Sequence, residues 1–211
     1  MVAGAGGPLG GDELHLDIDV AAGAQLRIGS AAAMVVQPGQ PGAGDPADVA
    51  RFTVRAELGA GASLYWEPEP TVVTAGAALE SSAHIRCAGD VNLVWREILV
   101  RGRLDQLGGT MSSALICDVD ERPVLRQTTR VGPGSAPGWD GPAGLAGQRV
   151  LGTVLLLGAA AGGIDPIAAD GAAPYAVMRL EGGGVLVTAL GATTLDVRRA
   201  LGTALVMRCG R

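Results

Sequence analysis

The chain has 211 residues and a formal net charge of −5, and all 16 of its basic residues are arginine. This charge balance, without an arginine patch interleaved with aromatic residues, argues against nucleic acid as a partner. The absence of lysine from the sequence excludes Schiff-base chemistry and a P-loop. Two histidines and three widely spaced cysteines argue against a multi-histidine metal cage, a CxxC site and a disulfide framework.

Apolar residues make up 48% of the chain, but they are not contiguous. The longest apolar run, residues 150–164, is interrupted by Gly152 and Thr153 and is shorter than the ~20 residues that a membrane-spanning helix needs. The sequence also begins without a basic segment followed by an apolar block, which is the pattern of a secretory signal. We therefore predict a cytoplasmic protein without a membrane partner.

The first predicted strand covers residues 12–20, in which apolar and polar residues alternate. Its apolar face consists of four aliphatic residues, Leu14, Leu16, Ile18 and Val20. On the opposite face, Glu13, His15 and Asp17 are weak candidates for a divalent-cation site, because side chains two residues apart lie about 7 Å from each other. The simpler interpretation, which we favour, is a solvated polar face.

The same unit then recurs. A Gly-Ala turn leads from the first strand to a second over residues 25–28, and a Gly/Pro-rich loop follows near 37–48. About 38 residues later another strand, Gly-Ala turn and strand appear, with Leu64 in the position of Leu26. This repetition predicts stacked hairpins or coils of sheet.

Residues 65–70, YWEPEP, form a rigid corner, because two prolines two residues apart do not fit a central strand. Trp66, Glu67 and Glu69 make this corner a candidate protein contact, and an anchored sheet edge explains it equally well. In the next predicted strand, residues 82–88, His84 and Cys87 point to opposite faces and do not chelate one ion. We interpret Cys87 as a small buried hydrophobic residue.

The strand that ends near Arg103 carries charge on both of its faces. Glu97 shares one face with Trp95, Leu99 and Arg101. Burying a carboxylate among such neighbours costs free energy unless a hydrogen-bond donor or a positive charge pairs with it. Glu97 and Arg101 do not satisfy each other, since four residues of extended strand span about 13 Å. The strand is therefore predicted to cross a region where polar pairing occurs.

Further strands are predicted over residues 110–119, 125–131, 150–157, 175–181 and 185–190, the last two as a hairpin. Thr194 is the predicted cap of a helix over 195–207 with Arg198 and Arg199 exposed. The fold class is mainly β. We expect stacked antiparallel hairpins or sheets in an elongated single domain, 1–211, with one or two short helices, one of them near the C-terminus. Mobile loops are expected near 37–48, 132–147 and 158–174.

Four features together resemble the UreD (UreH) family of urease accessory proteins. They are Gly10-Gly11-Asp12 before a strand that ends in a Gly-Ala turn, the segment 58–77, Glu97 followed by Gly102-Arg103, and Leu151-Gly152-Thr153 before an apolar strand. The resemblance covers most of residues 7–207. It implies a non-enzymatic, mainly β scaffold that binds apo-urease and UreF-like and UreG-like accessory proteins. Such a scaffold assists nickel delivery to the urease active site and holds no tightly bound cofactor, with nickel present only in transit.

An internal polar passage has been proposed for such proteins, and the resemblance makes Asp12 and Glu97 its candidate lining. The candidate partner contacts are Trp66, Glu67, Glu69, Arg101, Arg103, Arg198 and Arg199. No catalytic residue is predicted. Two other interpretations stay open at this point. One is a small hydrolase or lyase that uses the carboxylate pair Glu67 and Glu69, and the other is a purely structural β module.

Overall fold

The computed structural model describes residues 7–39, 48–162 and 174–206. Within these ranges the chain forms thirteen strands, a short 3-10 helix (Gly158–Ala161) and one α-helix at its C-terminal end. In chain order the elements are β1 (Glu13–Val20), β2 (Gln25–Ile28), β3 (Met34–Val36), β4 (Val49–Leu58), β5 (Ser63–Trp66), β6 (Thr71–Val73), β7 (Ala78–Cys87), β8 (Asn92–Arg101), β9 (Thr110–Val119), β10 (Arg122–Val131), β11 (Val150–Leu157), β12 (Tyr175–Arg179), β13 (Val185–Gly191) and α1 (Thr194–Val206). The prediction of a mainly β fold with a C-terminal helix is confirmed.

The strands form two sheets. Sheet 1 has the order β1-β4-β7-β9-β10, and sheet 2 has the order β12-β13-β11-β8-β5-β2, with β3 paired to β6 and β6 to β8. The repeated units are coils, because β1, β4, β7 and β9 are parallel neighbours in sheet 1 while β2, β5 and β8 are parallel neighbours in sheet 2. Among the described strands, the expected antiparallel pairing is found only in the later pairs, β9–β10, β8–β11, β11–β13 and β12–β13.

Glycines at the coil corners explain the repeated Gly-Ala turns. Gly23, Gly61 and Gly89 have φ values of 69°, 70° and 65°, a backbone conformation that glycine adopts without steric cost. The turns stack, since the amide of Gly23 donates to the carbonyl oxygen of Ala60 at 2.9 Å. The third corner, at Gly89, follows Gly61 by only 28 positions. Because this interval is shorter, a search of the sequence for a 38-residue repeat does not detect the third corner.

The core between the sheets includes two stacked indole rings. The ring centroids of Trp66 and Trp95 lie 4.9 Å apart with an interplanar angle of 15°, and the two residues are 2% and 0% exposed. Parallel pairing of β5 with β8 places them directly opposite each other. Trp66 is therefore a core residue, and its prediction as a partner contact is corrected.

Sheet 2 is covered on both faces, which explains the continuous apolar sequence of β11. One face packs on sheet 1, and the other packs on α1 through Val154, Val197 and Leu201. A side chain at Gly152 would place its Cβ atom 2.3 Å from Cγ1 of Val197, so only glycine allows this close approach. The glycine of the Leu151-Gly152-Thr153 motif thus provides the space for helix docking.

The helix begins one residue before its predicted start. Thr193 is the cap, because the amide of Asp196 donates to its Oγ1 at 3.2 Å and Asp196 Oδ2 accepts from the amide of Thr193 at 3.1 Å. The predicted cap, Thr194, is the first helical residue. Met207, the predicted last residue of the helix, lies outside the described residues.

The three predicted loops differ in how much of them the structure describes. Residues 40–47 and 163–173, which contain most of two of these loops, lie outside the described ranges. Residues 132–147 form successive turns that bury Leu145 and place Trp139 under the guanidinium of Arg101, 4.7 Å from the ring centroid. Among the described residues, no helix is both long and apolar enough to cross a membrane.

Replacing Gly152 with valine is expected to lower the free energy of unfolding by about 1–3 kcal/mol, because the added side chain overlaps Val197 and Leu201. Urea denaturation measures the change. The matched control is Gly202→Ala in α1, where an added Cβ meets no atom within 4 Å. This control should be neutral or stabilise the protein by up to about 1 kcal/mol. Equal stability of Gly152→Val and wild type would contradict the described helix docking.

Candidate functional site

A polar layer interrupts the apolar core between the two sheets. It is centred on Glu97 of β8, which lies beside Thr153 of β11 in sheet 2. Ser113 of β9 and Gln127 and Thr129 of β10 face these residues from sheet 1. Together with three leucines they enclose a cavity of about 10 Å³, close to the smallest volume that holds one water molecule.

Two donors hold the Glu97 carboxyl group. Its Oε1 accepts a hydrogen bond from Nε1 of Trp95 at 2.9 Å, and its Oε2 accepts one from Oγ of Ser113 at 3.2 Å. Trp95 is two residues away on the same face of β8, whereas Ser113 belongs to the opposite sheet. The carboxyl group therefore links the sheets, and the polar pairing expected for this strand is confirmed.

The surroundings of Glu97 favour its protonated form. Burial between the sheets raises the pKa of this carboxyl above its ordinary value of 4.5, while the hydrogen bonds from Trp95 and Ser113 act in the opposite direction with a smaller effect. The residue as a whole is only half-buried, so solvent reaches part of it. A carboxyl group in this position is able to release a proton when a positive charge approaches and to recover it afterwards.

The two glutamates of the proline corner are paired within the chain. Glu67 lies 3.3 Å from Arg27 and 3.5 Å from Arg96, and Glu69 lies 2.6 Å from Arg198 of α1. Arg96 also donates to the main-chain oxygen of Glu67 at 3.2 Å. Three of the candidate partner contacts, Glu67, Glu69 and Arg198, thus form ion pairs within the chain that connect the corner to β2, β8 and the helix.

Asp12 occupies a different part of the molecule from Glu97. Its Oδ2 accepts a hydrogen bond from the amide of Leu9 at 2.8 Å, which closes the turn before β1. The side chain is exposed and stands at the edge of sheet 1, three strand spacings from β9, or about 14 Å. The structure does not bring Asp12 and Glu97 into one cavity. The preceding Gly10 approaches the carbonyl oxygen of Asp48 so closely that a Cβ atom would lie 2.5 Å away.

The weak metal candidates on β1 lie on the outer face of sheet 1. Glu13, His15 and Asp17 are all exposed, and Glu13 is 3.6 Å from Arg51. In the described part of the chain, no group of three or more His, Cys, Asp and Glu side chains is arranged to hold a metal ion. The solvated polar face, the interpretation favoured from the sequence, matches this placement.

Comparison with known proteins identifies the family. The chain matches the family model described as UreD urease accessory protein over residues 1–210. The chain belongs to the UreD family of urease accessory proteins. It is 42% identical to urease accessory protein UreD of Parafrankia sp. (strain EAN1pec), over 95% of this chain and 72% of that protein. It is 40% identical to the UreD of Streptomyces coelicolor, over 97% of this chain and 79% of that protein. It is also 40% identical to the UreD of Frankia alni, over 95% of this chain and 70% of that protein.

Other groups in this UreD-family chain were not singled out from its sequence. Ser113, Gln127, Thr129 and Thr153 complete the layer around Glu97, and each lies on a face that is otherwise apolar. They could have been recognised in the sequence as polar residues on strand faces whose other residues are apolar. Their common location depends on the register between strands.

The arginines that follow Glu97 have separate environments. The side chain of Arg101 is 14% exposed, lies against Trp139 and is 3.8 Å from Asp140. Arg103 is exposed, and its carbonyl oxygen accepts a hydrogen bond from Arg149 at 2.6 Å. Of these two candidate contacts, only Arg103 presents most of its side chain at the surface.

The raised pKa of Glu97 predicts a pH-dependent contribution to stability. Because the folded chain holds this proton more tightly than the unfolded chain, the stabilisation is complete below about pH 4.5 and is lost as pH rises through the folded-state pKa. The free energy of unfolding of wild type, relative to Glu97→Gln, should therefore decrease as the pH rises above about 4.5.

Urea denaturation at a series of pH values measures this difference. Gly202→Ala serves as the control, because it leaves every titratable group in place and its difference from wild type should stay constant. A pH-independent difference between wild type and Glu97→Gln would contradict the environment described for the carboxyl group.

The ion pair between Glu69 and Arg198 should contribute modestly to helix docking. The two side chains are 39% and 36% exposed, so solvent screens the attraction. A double-mutant cycle with Glu69→Gln and Arg198→Gln is expected to give a coupling energy of about 0.2–1 kcal/mol, decreasing in high salt. A coupling energy that does not respond to salt would argue against a direct ion pair.

Proposed function

We propose that this chain is a non-enzymatic urease maturation factor that acts in the cytoplasm. As a single-domain scaffold it binds apo-urease and UreF-type and UreG-type accessory proteins, and it assists nickel delivery to the urease active site. Membership of the UreD family supports the urease accessory role. The observation that carries the nickel-related part is the carboxyl group of Glu97 between the two sheets, surrounded by hydroxyl and amide groups.

The chemistry of this layer suits a cation in transit. Carboxylate, hydroxyl and amide oxygens are ligands for hard and borderline cations, and a single carboxylate binds such an ion weakly enough to release it. Burial raises the pKa of Glu97, which favours the neutral carboxyl group while no cation is near. A cavity of about 10 Å³ has no room for a hydrated ion, so passage requires the lining side chains to move and the ion to lose water.

The hydrolase interpretation has less support than the scaffold. Glu67 and Glu69 are each paired with arginines, and these arginines belong to different elements. Each carboxylate already contacts an arginine side chain of the same chain, so the pair is not arranged as a free acid and base facing a substrate. The pairs anchor the corner and the helix instead, which fits a protein whose role is to bind other proteins.

Glu97→Gln is expected to lower the amount of nickel incorporated into urease by about tenfold, by analogy with the effect of removing a group that supports a metal site. The substitution keeps the size of the side chain and removes its ability to carry a negative charge. The measurement is the nickel content and activity of urease purified from cells that carry the variant. The control is Glu80→Gln, an exposed glutamate on the outer face of sheet 1.

Glu80→Gln should leave urease maturation unchanged. Normal nickel content with Glu97→Gln would refute the role assigned to the polar layer, while the scaffold role would remain open to pull-down experiments. Reduced nickel content in both variants would indicate a general loss of protein and would not support the proposal.

The exposed face of α1 is the proposed contact for a UreF-type partner. Leu195 is 53% exposed at the start of the helix, whereas Val197 and Leu201 pack on sheet 2. Deleting residues 194–211 would remove this packing, so point substitutions are the better probe. Arg198 and Arg199 lie on the same helix and complete the proposed contact.

Leu195→Asp is expected to reduce capture of a UreF-type protein at least about tenfold in a pull-down, as the loss of an apolar interface residue does. Leu104→Asp is the control, because Leu104 is an equally apolar and 76% exposed residue outside the helix. Unchanged capture by Leu195→Asp, or the same reduction with both variants, would contradict the assignment of this face.

A further inference from the structure

Two free cysteines lie side by side in sheet 1. Cys87 is the last residue of β7, and Cys117 lies on the parallel neighbour β9. In the register of these strands, Cys87 is opposite Val119 and Cys117 is opposite Ile85, so the two cysteines are diagonal neighbours. Both side chains belong to the core cluster on the inner face of the sheet.

The two thiols differ in their access to solvent. Cys117 is 0% exposed, whereas Cys87 is 5% exposed and lines a groove at the end of sheet 1. The groove is also lined by Ala88, Asp120 and Arg126. A small ion that enters this groove meets Cys87 first, because Cys117 does not line the groove and is fully buried.

The spacing of the two residues favours a bridging ion over a disulfide. An offset of two residues along the strands and one strand spacing across them separates the Cα atoms by about 8 Å. Disulfides usually connect Cα atoms no more than about 6.8 Å apart. Two metal–sulfur bonds of about 2.3 Å each instead allow the sulfur atoms to stay up to about 4.6 Å apart.

We propose that Cys87 and Cys117 form a two-thiolate site for a soft metal ion of the copper(I) class. Soft thiolate ligands select such ions over the harder divalent cations. On binding, each thiol releases one proton and each sulfur donates an electron pair to the ion, so two metal–sulfur bonds replace two S–H bonds. No electron is transferred, and the complex carries one negative charge.

The surroundings of the two thiols support this chemistry. The guanidinium of Arg126 donates to the carbonyl oxygen of Cys117 at 3.0 Å and also pairs with Asp118, so the charged groups next to the site are partly compensated. The two thiols are hydrogen-bonded to each other, which places both sulfur atoms within reach of one ion. This site is separate from the Glu97 layer and does not depend on the function proposed for it.

The test is an anaerobic titration with copper(I) in competition with a chromophoric copper(I) chelator. The reference protein is the full chain with Cys209→Ser, which removes the remaining cysteine, a residue outside the described ranges. We expect this protein to retain one copper ion. Adding Cys87→Ser or Cys117→Ser should reduce the affinity by at least about 100-fold, while Asp120→Asn in the groove should leave it unchanged.

X-ray absorption spectroscopy on the copper-loaded reference protein keeps the proposal falsifiable if a serine variant fails to fold. Two sulfur neighbours around copper are expected. The proposal would be overturned by an oxygen or nitrogen shell, by a reference protein that retains no copper, or by unchanged affinity after both cysteines are replaced. Rapid disulfide formation with diamide would also overturn it, because the two cysteines would then be spaced for a disulfide and not for a bridging ion.

Discussion

The architecture of this protein depends on how a charged side chain is accommodated between two sheets. Glu97 points from β8 toward sheet 1, where Ser113 supplies one hydrogen bond and Trp95 of its own strand supplies the other. Trp95 is itself held by stacking on Trp66. An unpaired carboxylate at this position would be costly, so the polar layer and the adjacent aromatic pair form one structural unit. Most of the inward residues above and below it are aliphatic.

The two sheets differ in how much of their surface is covered by other elements of the chain. Sheet 2 is enclosed by sheet 1 and α1, and Gly152 lets the helix approach closely. The outer face of β1 in sheet 1 carries exposed polar residues. The contact proposed for a partner protein is the exposed side of α1, while the layer around Glu97 lies between the sheets.

The sequence was sufficient to predict most of the strands, their inward faces and the importance of Glu97, because alternation and a carboxylate in an apolar pattern are local signals. The strands β3 and β6 were not predicted, since three residues are too few to show alternation. Parallel pairing was not predictable in this way, because side chains alternate with a period of two residues in both parallel and antiparallel strands. The partners of Glu97 come from β9, β10 and β11, and only the register between these strands brings them together. Trp66 was misassigned because the proline corner is visible in the sequence, whereas its stacking on Trp95 follows from coil geometry.

A double-mutant cycle between Trp95 and Glu97 tests the central interaction most directly. Trp95→Phe removes the indole donor, and Glu97→Leu removes the acceptor at similar volume. The free energies of unfolding of the wild type, both single variants and the double variant give the coupling between the two side chains. A hydrogen bond to the carboxyl group predicts a favourable coupling of about 1–3 kcal/mol. A coupling energy indistinguishable from zero would contradict the account of Glu97 as a group held between the sheets.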